Sequence, residues 1–340
     1  MRVLVAGDRG YIGAVMVPFL RNEGHEVNGL DLGLYDACNL GPDVPEGPIK
    51  DIRDVGPDDL VDYDAVICLA ALSNDPLGNL NPGATYSVNL AGTLHLARAA
   101  KQAGVGRFLF SSSCSLYGAA GSARVAEDGE LNPVTPYGKT KILAEHGLSK
   151  LADDAFSPVY LRNATAYGAS PRLRLDIVVN NLTAVALTTG HVRLESDGTP
   201  WRPLAHIEDI SRAFAAALTA PRERVHDQAF NVGRDADNVQ IRQIAELVRE
   251  VVPGSVITFA DGAGPDIRNY RVDFTKLEDT FGELKLRWTV RDGVEELLDS
   301  YNRYGLTIED LQSGRYTRLR RIRELLDSGE INDDLRRAAP

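Results

Sequence analysis

Tyr137 and Lys141 stand four residues apart in the run Tyr137-Gly138-Lys139-Thr140-Lys141. On a helix that spacing puts both side chains on one face. An ammonium beside a phenol stabilises the phenolate and lowers a tyrosine pKa from its usual value of about 10. Bringing it to neutrality takes roughly 4 kcal/mol of differential stabilisation. A tyrosine tuned in this way is a general base for an alcohol or sugar hydroxyl near pH 7. The spacing alone occurs on many helices, so its weight depends on its company. That company includes a serine run upstream, Ser111-Ser112-Ser113, and three glycines near the start of the chain, Gly7, Gly10 and Gly13.

The glycines follow the strand-like run Val3-Leu4-Val5-Ala6 and precede Ala14-Val15-Met16-Val17-Pro18-Phe19-Leu20, which reads as a helix. In a strand–turn–helix setting, glycines permit a tight turn and close approach of backbone to a pyrophosphate, which meets the helix N-terminus. The expected ligand is therefore a dinucleotide, with Tyr11 and Ile12 inside the turn. The next strand-like run, from His25, ends in Asp31, about 20 residues beyond the turn, where a carboxylate accepts hydrogen bonds from the adenosine ribose. It would repel the 2′-phosphate of NADP, and no Arg or Lys follows it closely, so NAD is the expected cofactor. The cationic oxidised nicotinamide would add to the lowering of the Tyr137 pKa.

These residues need a scaffold that brings them to one edge. Ala65-Val66-Ile67-Cys68-Leu69-Ala70-Ala71 is a continuous apolar run, as in a parallel strand buried on both faces. Val88 to Lys101 reads as a helix, 107–110 as a strand ending in the serines, 135–151 as the helix carrying Tyr137 and Lys141, and 157–162 as another strand. The alternation predicts an α/β fold, a Rossmann-like doubly wound parallel sheet with its ligand at the carboxyl ends of the strands. The glycine turn, Asp31, Ala70-Ala71, Ser113 and Asn163 all fall at such ends. A smaller C-terminal substrate-binding α/β region is expected beyond it.

Composition sets the remaining bounds. The chain has 340 residues, 44% hydrophobic and 25% charged, enough for a large core. A net charge of −11 argues against nucleic acid or an anionic membrane surface as partner. Cys38, Cys68 and Cys114 lack metal-ligand spacing, and no metal is expected. Their odd number and the absence of a leader pattern predict a reducing cytoplasm. No apolar run approaches the roughly 20 residues of a membrane span.

Taken together, Gly7-x-x-Gly10-Tyr11-Ile12-Gly13, Asp51-Ile52-Arg53-Asp54, Leu69-Ala70-Ala71, Val88-Asn89-Leu90-Ala91-Gly92-Thr93, Ser111 to Gly118 and Pro136-Tyr137-Gly138-Lys139-Thr140-Lys141 resemble the extended short-chain dehydrogenase/reductases, in their nucleotide-sugar epimerase and dehydratase branch. Arg162, Tyr167-Gly168, Asn180-Asn181-Leu182 and the stretch from Asp197 to Ile210 extend the resemblance, which covers roughly residues 1–300. It implies that Asp51 and Ile52 flank the adenine, that Leu69, Ala70, Ala71 and Ser111 line the cofactor, and that Asn89 supports the active-site backbone. It implies Ser113, Tyr137 and Lys141 as the catalytic set, with Ser113 holding the reacting sugar hydroxyl. Ser73, Asn163, Thr165, Asn181, Arg202 and Arg268 would contact a nucleotide-diphosphate sugar, and a guanidinium such as Arg202 chelates phosphate bidentately. Ser111 and Ser112 read more simply as turn and cap residues, His206 as a packed histidine and Cys114 as a small buried residue.

Within the branch, dehydratases resemble Thr-Asp-Glu at the positions of Ser113-Cys114-Ser115, whereas 4-epimerases resemble Ser-Ala-Thr. Elimination needs an acid and a base near carbons 5 and 6, and this run has no carboxylate. Epimerisation at C4 through a 4-keto sugar is the expected reaction. A 4-ketoreductase, dehydrogenase or dehydratase of the same fold is the alternative, and a non-catalytic NAD-sensing regulator is the alternative of another class. Departures from the epimerase pattern bear on the substrate: Thr165 stands for the usual Asn with Asn163 two residues earlier, Ser73 for a frequent Lys, and Ala263 for a late phosphate-binding Arg that Arg268 or Arg271 would replace.

The expected division is 1–165 for NAD, with a returning segment near 205–235, then 166–204 and 236–303 for substrate, and 304–340 as a helical extension. The extension carries Arg315, Arg318, Arg320, Arg321 and Arg323 beside acidic residues, a mixed charge that predicts a solvated or subunit-bridging helix. The resemblance implies a homodimer.

Overall fold

The apolar runs become six strands: β1 (Arg2–Ala6), β2 (Glu26–Leu30), β3 (Ala65–Cys68), β4 (Arg107–Ser113), β5 (Ser157–Asn163) and β6 (Gln228–Val232). They are seen in a computed structural model that describes all residues except 43, 45, 46, 74, 120, 122, 265–267, 339 and 340. The strands form one sheet in the order β6-β5-β4-β3-β1-β2, and every pairing is parallel. All residues of β3 and β5 are buried, which is why those runs show no polar alternation.

Helices cover both faces. On one, Val3, Val5 and Ile67 pack with Met16 of α1 (Gly13–Asn22) and with residues of the helix Ile207–Thr219. On the other, Leu4, Ala6 and Val66 pack with α2 (Thr93–Gln102) and α3 (Pro136–Ser149). Successive strand residues point to opposite faces, so odd and even positions of β1 feed two separate cores. The chain runs from β1 outward to β2, then crosses back to β3 on the other side of β1. Strand order reverses there, and a crevice opens beyond the carboxyl ends of β1 and β3.

The rest of the chain builds a second layer beside that crevice. Thr165–Tyr167, Trp201–His206 and Asn238–Gln240 form a three-stranded sheet, and His191–Ser196 pairs in parallel with Val256–Gly264. The helices Val178–Thr189, Ile241–Val251 and Val290–Tyr304 close its core through residues such as Leu182, Val248 and Leu297.

Two expectations are corrected. The helix expected from Val88 starts earlier, at Pro82, behind an Asn81 cap. It widens into a π-helical stretch over Ser87–Gly92 before α2 begins, a deformation common at functional sites. The C-terminal helix Arg318–Asp327, here α4, is not simply solvated. Its Ile322 and Leu325 share a helix face. With Ile331 and Leu335 they pack against Leu34, Leu72 and Leu77, and Arg318 is only 2% exposed. The extension is folded against the crevice.

Candidate active site

A cavity of about 850 Å³ fills the crevice. Its floor is the glycine turn. Gly7 has φ +95°, and a Cβ there would lie 2.8 Å from the backbone N of Ala70, so only glycine lets β1 and β3 release their chains this close together. α1 starts at Gly13 with no side-chain cap on its first turn, leaving a helix N-terminus suited to an anion. The Tyr11 hydroxyl donates to the Gly168 carbonyl at 2.7 Å and accepts from Asn180 Nδ2 at 3.1 Å, tying the turn to the second layer.

Gly7, Gly10, Tyr11, Ile12 and Gly13 all line the cavity, as do Asp31, Asp51, Ile52, Leu69, Ala70, Ala71 and Ser111. The Asp31 carboxylate accepts from Gly33 N at 2.7 Å, and burial pushes its pKa upward. Asp51 is ion-paired with Arg53 at 2.5 Å, both nearly buried. Asn89 alone of the expected cofactor residues does not reach the cavity. Its side chain accepts from Leu72 N at 2.8 Å and donates to Leu72 O at 3.1 Å. It thereby fixes the chain just after Ala70-Ala71, a backbone-supporting position rather than a cofactor contact.

α3 carries the chemistry. Thr135 caps it by accepting from Gly138 N at 3.2 Å, and Pro136 occupies its first position. Tyr137 and Lys141 both line the cavity. Lys141 Nζ lies 5.6 Å from the centre of the Tyr137 ring and 4.6 Å from that of Phe110, and donates to the Ser111 carbonyl at 2.6 Å. Burial lowers the Lys141 pKa to about 8, so below pH 8 it carries the charge that a tyrosine base needs. Ser113, also on the wall, accepts from Ser115 N at 3.2 Å through its hydroxyl.

The neighbouring serines divide their tasks. Ser111 Oγ accepts from Asn163 Nδ2 at 3.0 Å. Ser112 Oγ donates to Glu145 at 2.5 Å, inside a buried network in which Glu145 pairs with Arg162 at 2.7 Å and Arg162 donates to Tyr117 Oη at 3.0 Å. This network bolts α3 to β4 and β5. Cys114 is fully buried, which drives its thiol pKa far above the nucleophilic range. His206 stacks on Trp288 with ring centres 3.9 Å apart and contacts Glu296.

The expected substrate residues, Ser73, Asn163, Thr165, Asn181, Arg202 and Arg268, also line the cavity. Arg202 donates to the carbonyls of Trp201 and Arg268, which places the two arginines side by side. Arg271, the other candidate, lies over the Trp201 ring at 4.5 Å and is not on the wall. Asn181 Nδ2 is held by the Leu175 carbonyl at 3.0 Å. Wall residues that the sequence reading did not assign to the site include Arg174, which donates to Ser73 Oγ at 3.0 Å, and Arg318 of the extension. Among the described residues no three His, Cys, Asp or Glu side chains cluster as a metal site requires, and no helix is long and apolar enough to cross a membrane.

Residues 3–233 match the NAD dependent epimerase/dehydratase family. The chain belongs to that family. Its relatives include the UDP-glucose 4-epimerase of Bacillus subtilis (strain 168), 29% identical over 329 residues that span 87% of this chain and 94% of that protein. MoeE5, solved in complex with UDP-glucose and NAD, is 28% identical with a TM-score of 0.74, over 89% of this chain and 99% of that one. TunA, an NAD dependent NDP-hexosamine 5,6-dehydratase, is 23% identical with a TM-score of 0.79 over 89% and 98% of the two chains, a likeness of fold. The protein is an enzyme and takes NAD. Its residues fit that cofactor: the Gly7 cradle a Cβ would fill, the uncapped α1 and Asp31 at the ribose end.

Proposed function

We propose that this enzyme interconverts nucleotide-diphosphate sugars that differ in configuration at C4. The observation that carries the reading is the segment Ser113–Cys114–Ser115 beside Tyr137 and Lys141, which presents hydroxyls and no carboxylate. Among the described residues, the carboxylates on the cavity wall are Asp31, Asp51, Asp176 and Glu195. The first two belong to the adenosine end, Asp176 is bound to Arg174 at 2.9 Å, and Glu195 is largely exposed beside Arg193. Dehydration needs an acid and a base aimed at carbons 5 and 6, and the segment that would carry them has none.

Bound NAD supplies the acceptor, and later the donor, of a hydride. The protein's own residues handle the proton and the geometry. Tyr137 takes the proton of the C4 hydroxyl, Ser113 holds that oxygen, and the Lys141 ammonium stabilises the phenolate before transfer. Tyr137 returns the proton once the sugar has presented its other face. Arg202 and Arg268 hold the sugar nucleotide's diphosphate, with Asn181, Ser73, Asn163 and Thr165 around it. Residues 1–165 with the returning segment near 205–235 form the cofactor region, 166–204 and 236–303 the substrate region. Uridine diphosphate sugars are the first substrates to try, because the Bacillus subtilis relative is named for one.

The test is incubation with UDP-glucose, UDP-glucuronic acid and their dTDP counterparts, without added NADH, followed by proton NMR. A mixture of C4 epimers from one of them supports the reading; their absence across the panel counts against it. We further place the enzyme in the cytoplasm, in keeping with three buried, unpaired thiols. Its state is a homodimer; Leu143 of α3, 43% exposed, supplies apolar surface for the contact. Light scattering at the mass of one chain would exclude that state.

A further inference from the structure

Four arginines are buried beside the glycine turn. Arg9, Arg172, Arg174 and Arg318 are 4%, 4%, 8% and 2% exposed. Two carboxylates pair with them: Asp36 with Arg9 at 2.8 Å and with Arg172 at 3.4 Å, and Asp176 with Arg174 at 2.9 Å. Asp31 lies close enough to feel Arg9 and Arg172, burial pushing its pKa upward, and Asp8, 6% exposed, also feels Arg9. Arg318 has no carboxylate bonded to it among the described residues; it donates to the Arg172 carbonyl at 3.1 Å and stacks over Tyr35 at 4.2 Å. Each of the four also keeps one buried N–H group without an acceptor: Arg9 Nε, Arg172 Nε, Arg174 Nη2 and Arg318 Nη1.

Such an arrangement is costly without an anion. A buried guanidinium loses its hydration, and an unfilled donor adds to that loss. In a protein of net charge −11, four buried guanidinium groups with unfilled donors gathered at one place call for a negative ligand. Arg174 and Arg318 are the two of the four that line the cavity. Their surroundings say where. Arg174 lies over the ring of Tyr11, inside the glycine turn, and Arg318 over Tyr35, four residues beyond Asp31. The pair is thus bracketed by the turn that receives a pyrophosphate and the loop that follows the ribose-binding acid. Arg202 and Arg268 also line the wall, Arg202 over the Tyr270 ring at 6.0 Å, and Arg174 donates to Ser73 Oγ at 3.0 Å.

We propose that Arg174 and Arg318 clamp the diphosphate of bound NAD, which makes the C-terminal extension a working part of the cofactor site. The family match ends at residue 233, so Arg318 belongs to a segment outside it. The same tail is fastened over the adenosine end. Arg337 donates to the carbonyls of Leu32 and Gly33 at 2.6 and 2.8 Å, Arg336 bonds Asp54 at 2.6 Å, and Leu335 joins the cavity wall. A guanidinium matches a phosphate through paired N–H groups, and Arg174 and Arg318 are the two that reach the wall where the cofactor's diphosphate would lie. The inference rests on NAD being the cofactor and not on which sugar is epimerised.

The test is isothermal titration calorimetry on the full chain, stripped of cofactor, for wild type, Arg318→Met and Arg174→Met. The probes are NAD, ADP-ribose, adenosine and UDP. Loss of one charge-assisted hydrogen-bonding arm should weaken NAD and ADP-ribose by roughly 10- to 100-fold in each variant. Adenosine, which has no diphosphate, and UDP, which takes the substrate site, should bind each variant within about twofold of wild type. Unchanged NAD affinity in both variants would overturn the clamp. So would a loss that falls on UDP, which would assign the arginines to the substrate. An equal loss for adenosine would also overturn it, by reducing the extension to a prop for the adenosine pocket. C4-epimerase activity is read separately, so failure of the clamp and failure of the reaction assignment are distinguishable.

Discussion

Lys141→Met removes one charge from beside the catalytic tyrosine and leaves an unbranched apolar chain in a site that is 2% exposed. In the wild type, Nζ stands 5.6 Å from the Tyr137 ring centre. At that separation a unit charge acts on a phenolate with about 3 kcal/mol at an effective dielectric of about 20. That energy corresponds to about 2 pKa units. A base works unprotonated, so turnover rises with pH along the limb that reports Tyr137, and the variant's limb should lie about 2 pH units higher. On the rising limb near pH 7 the deficit should be about 100-fold. A second signature follows from the lysine's own titration. Its pKa is lowered from 10.5 to about 8 by burial. Above pH 8 the wild type loses its ammonium too, so the deficit should shrink toward pH 9. Stability has a sign of its own. The folded state disfavours the charged lysine, so that cost is fully present below pH 8 and fades as pH rises toward 10.5. The variant should therefore melt no lower than wild type at pH 7. The assay is kcat from pH 6 to 9.5 with NAD saturating, beside thermal melts at pH 7. A deficit that stays constant across that range would refute the electrostatic role and leave Lys141 only a binding one.

Tyr137→Phe should keep NAD affinity within about twofold while lowering turnover by about 10² to 10⁴, the range for a lost general base; near-native turnover would remove Tyr137 from the mechanism. Wild type should be stabilised more by NAD than by NADP in thermal-shift titration, and Asp31→Ala should narrow that gap; equal stabilisation of the wild type would reject Asp31 as the selector. Glu145→Ala strands Arg162 in a site where both partners are under 8% exposed, which should cost about 3 kcal/mol. A thermal midpoint equal to that of wild type would show that the network does not hold α3 in place.

The central sheet was legible because its strands are continuous apolar runs that end in small or polar residues. A short run of that kind, bounded by turn residues, suits a strand with both faces buried. Tyr137 and Lys141 were legible because their helix is local and their spacing is short. Other features depend on tertiary contacts that no window of sequence contains. Asn89 holds Leu72, 17 residues upstream; its backbone-supporting role was expected from the motif, but the residue it holds was not legible. Arg268 and Arg271 read alike as arginines on one stretch, and only the Trp201 ring separates them. Arg318 read as a solvated charge because charge is usually exposed. Its burial follows from Ile322 and Leu325, whose spacing was the local hint that this helix has an inner face. The π-helical stretch at Ser87–Gly92 leaves no composition signal, since the residues there also suit an ordinary helix.

The most direct test of the reaction is to follow a sugar nucleotide deuterated at C4 through one round of conversion in ordinary water, with no NADH added. If Tyr137 moves only the hydroxyl proton and the hydride leaves and returns within one cavity, the C4 epimer keeps its deuterium and its mass is unchanged. Loss of the label to solvent, a product lighter by about 18 mass units, or one heavier by about 2 would contradict C4 epimerisation by oxidation and hydride return.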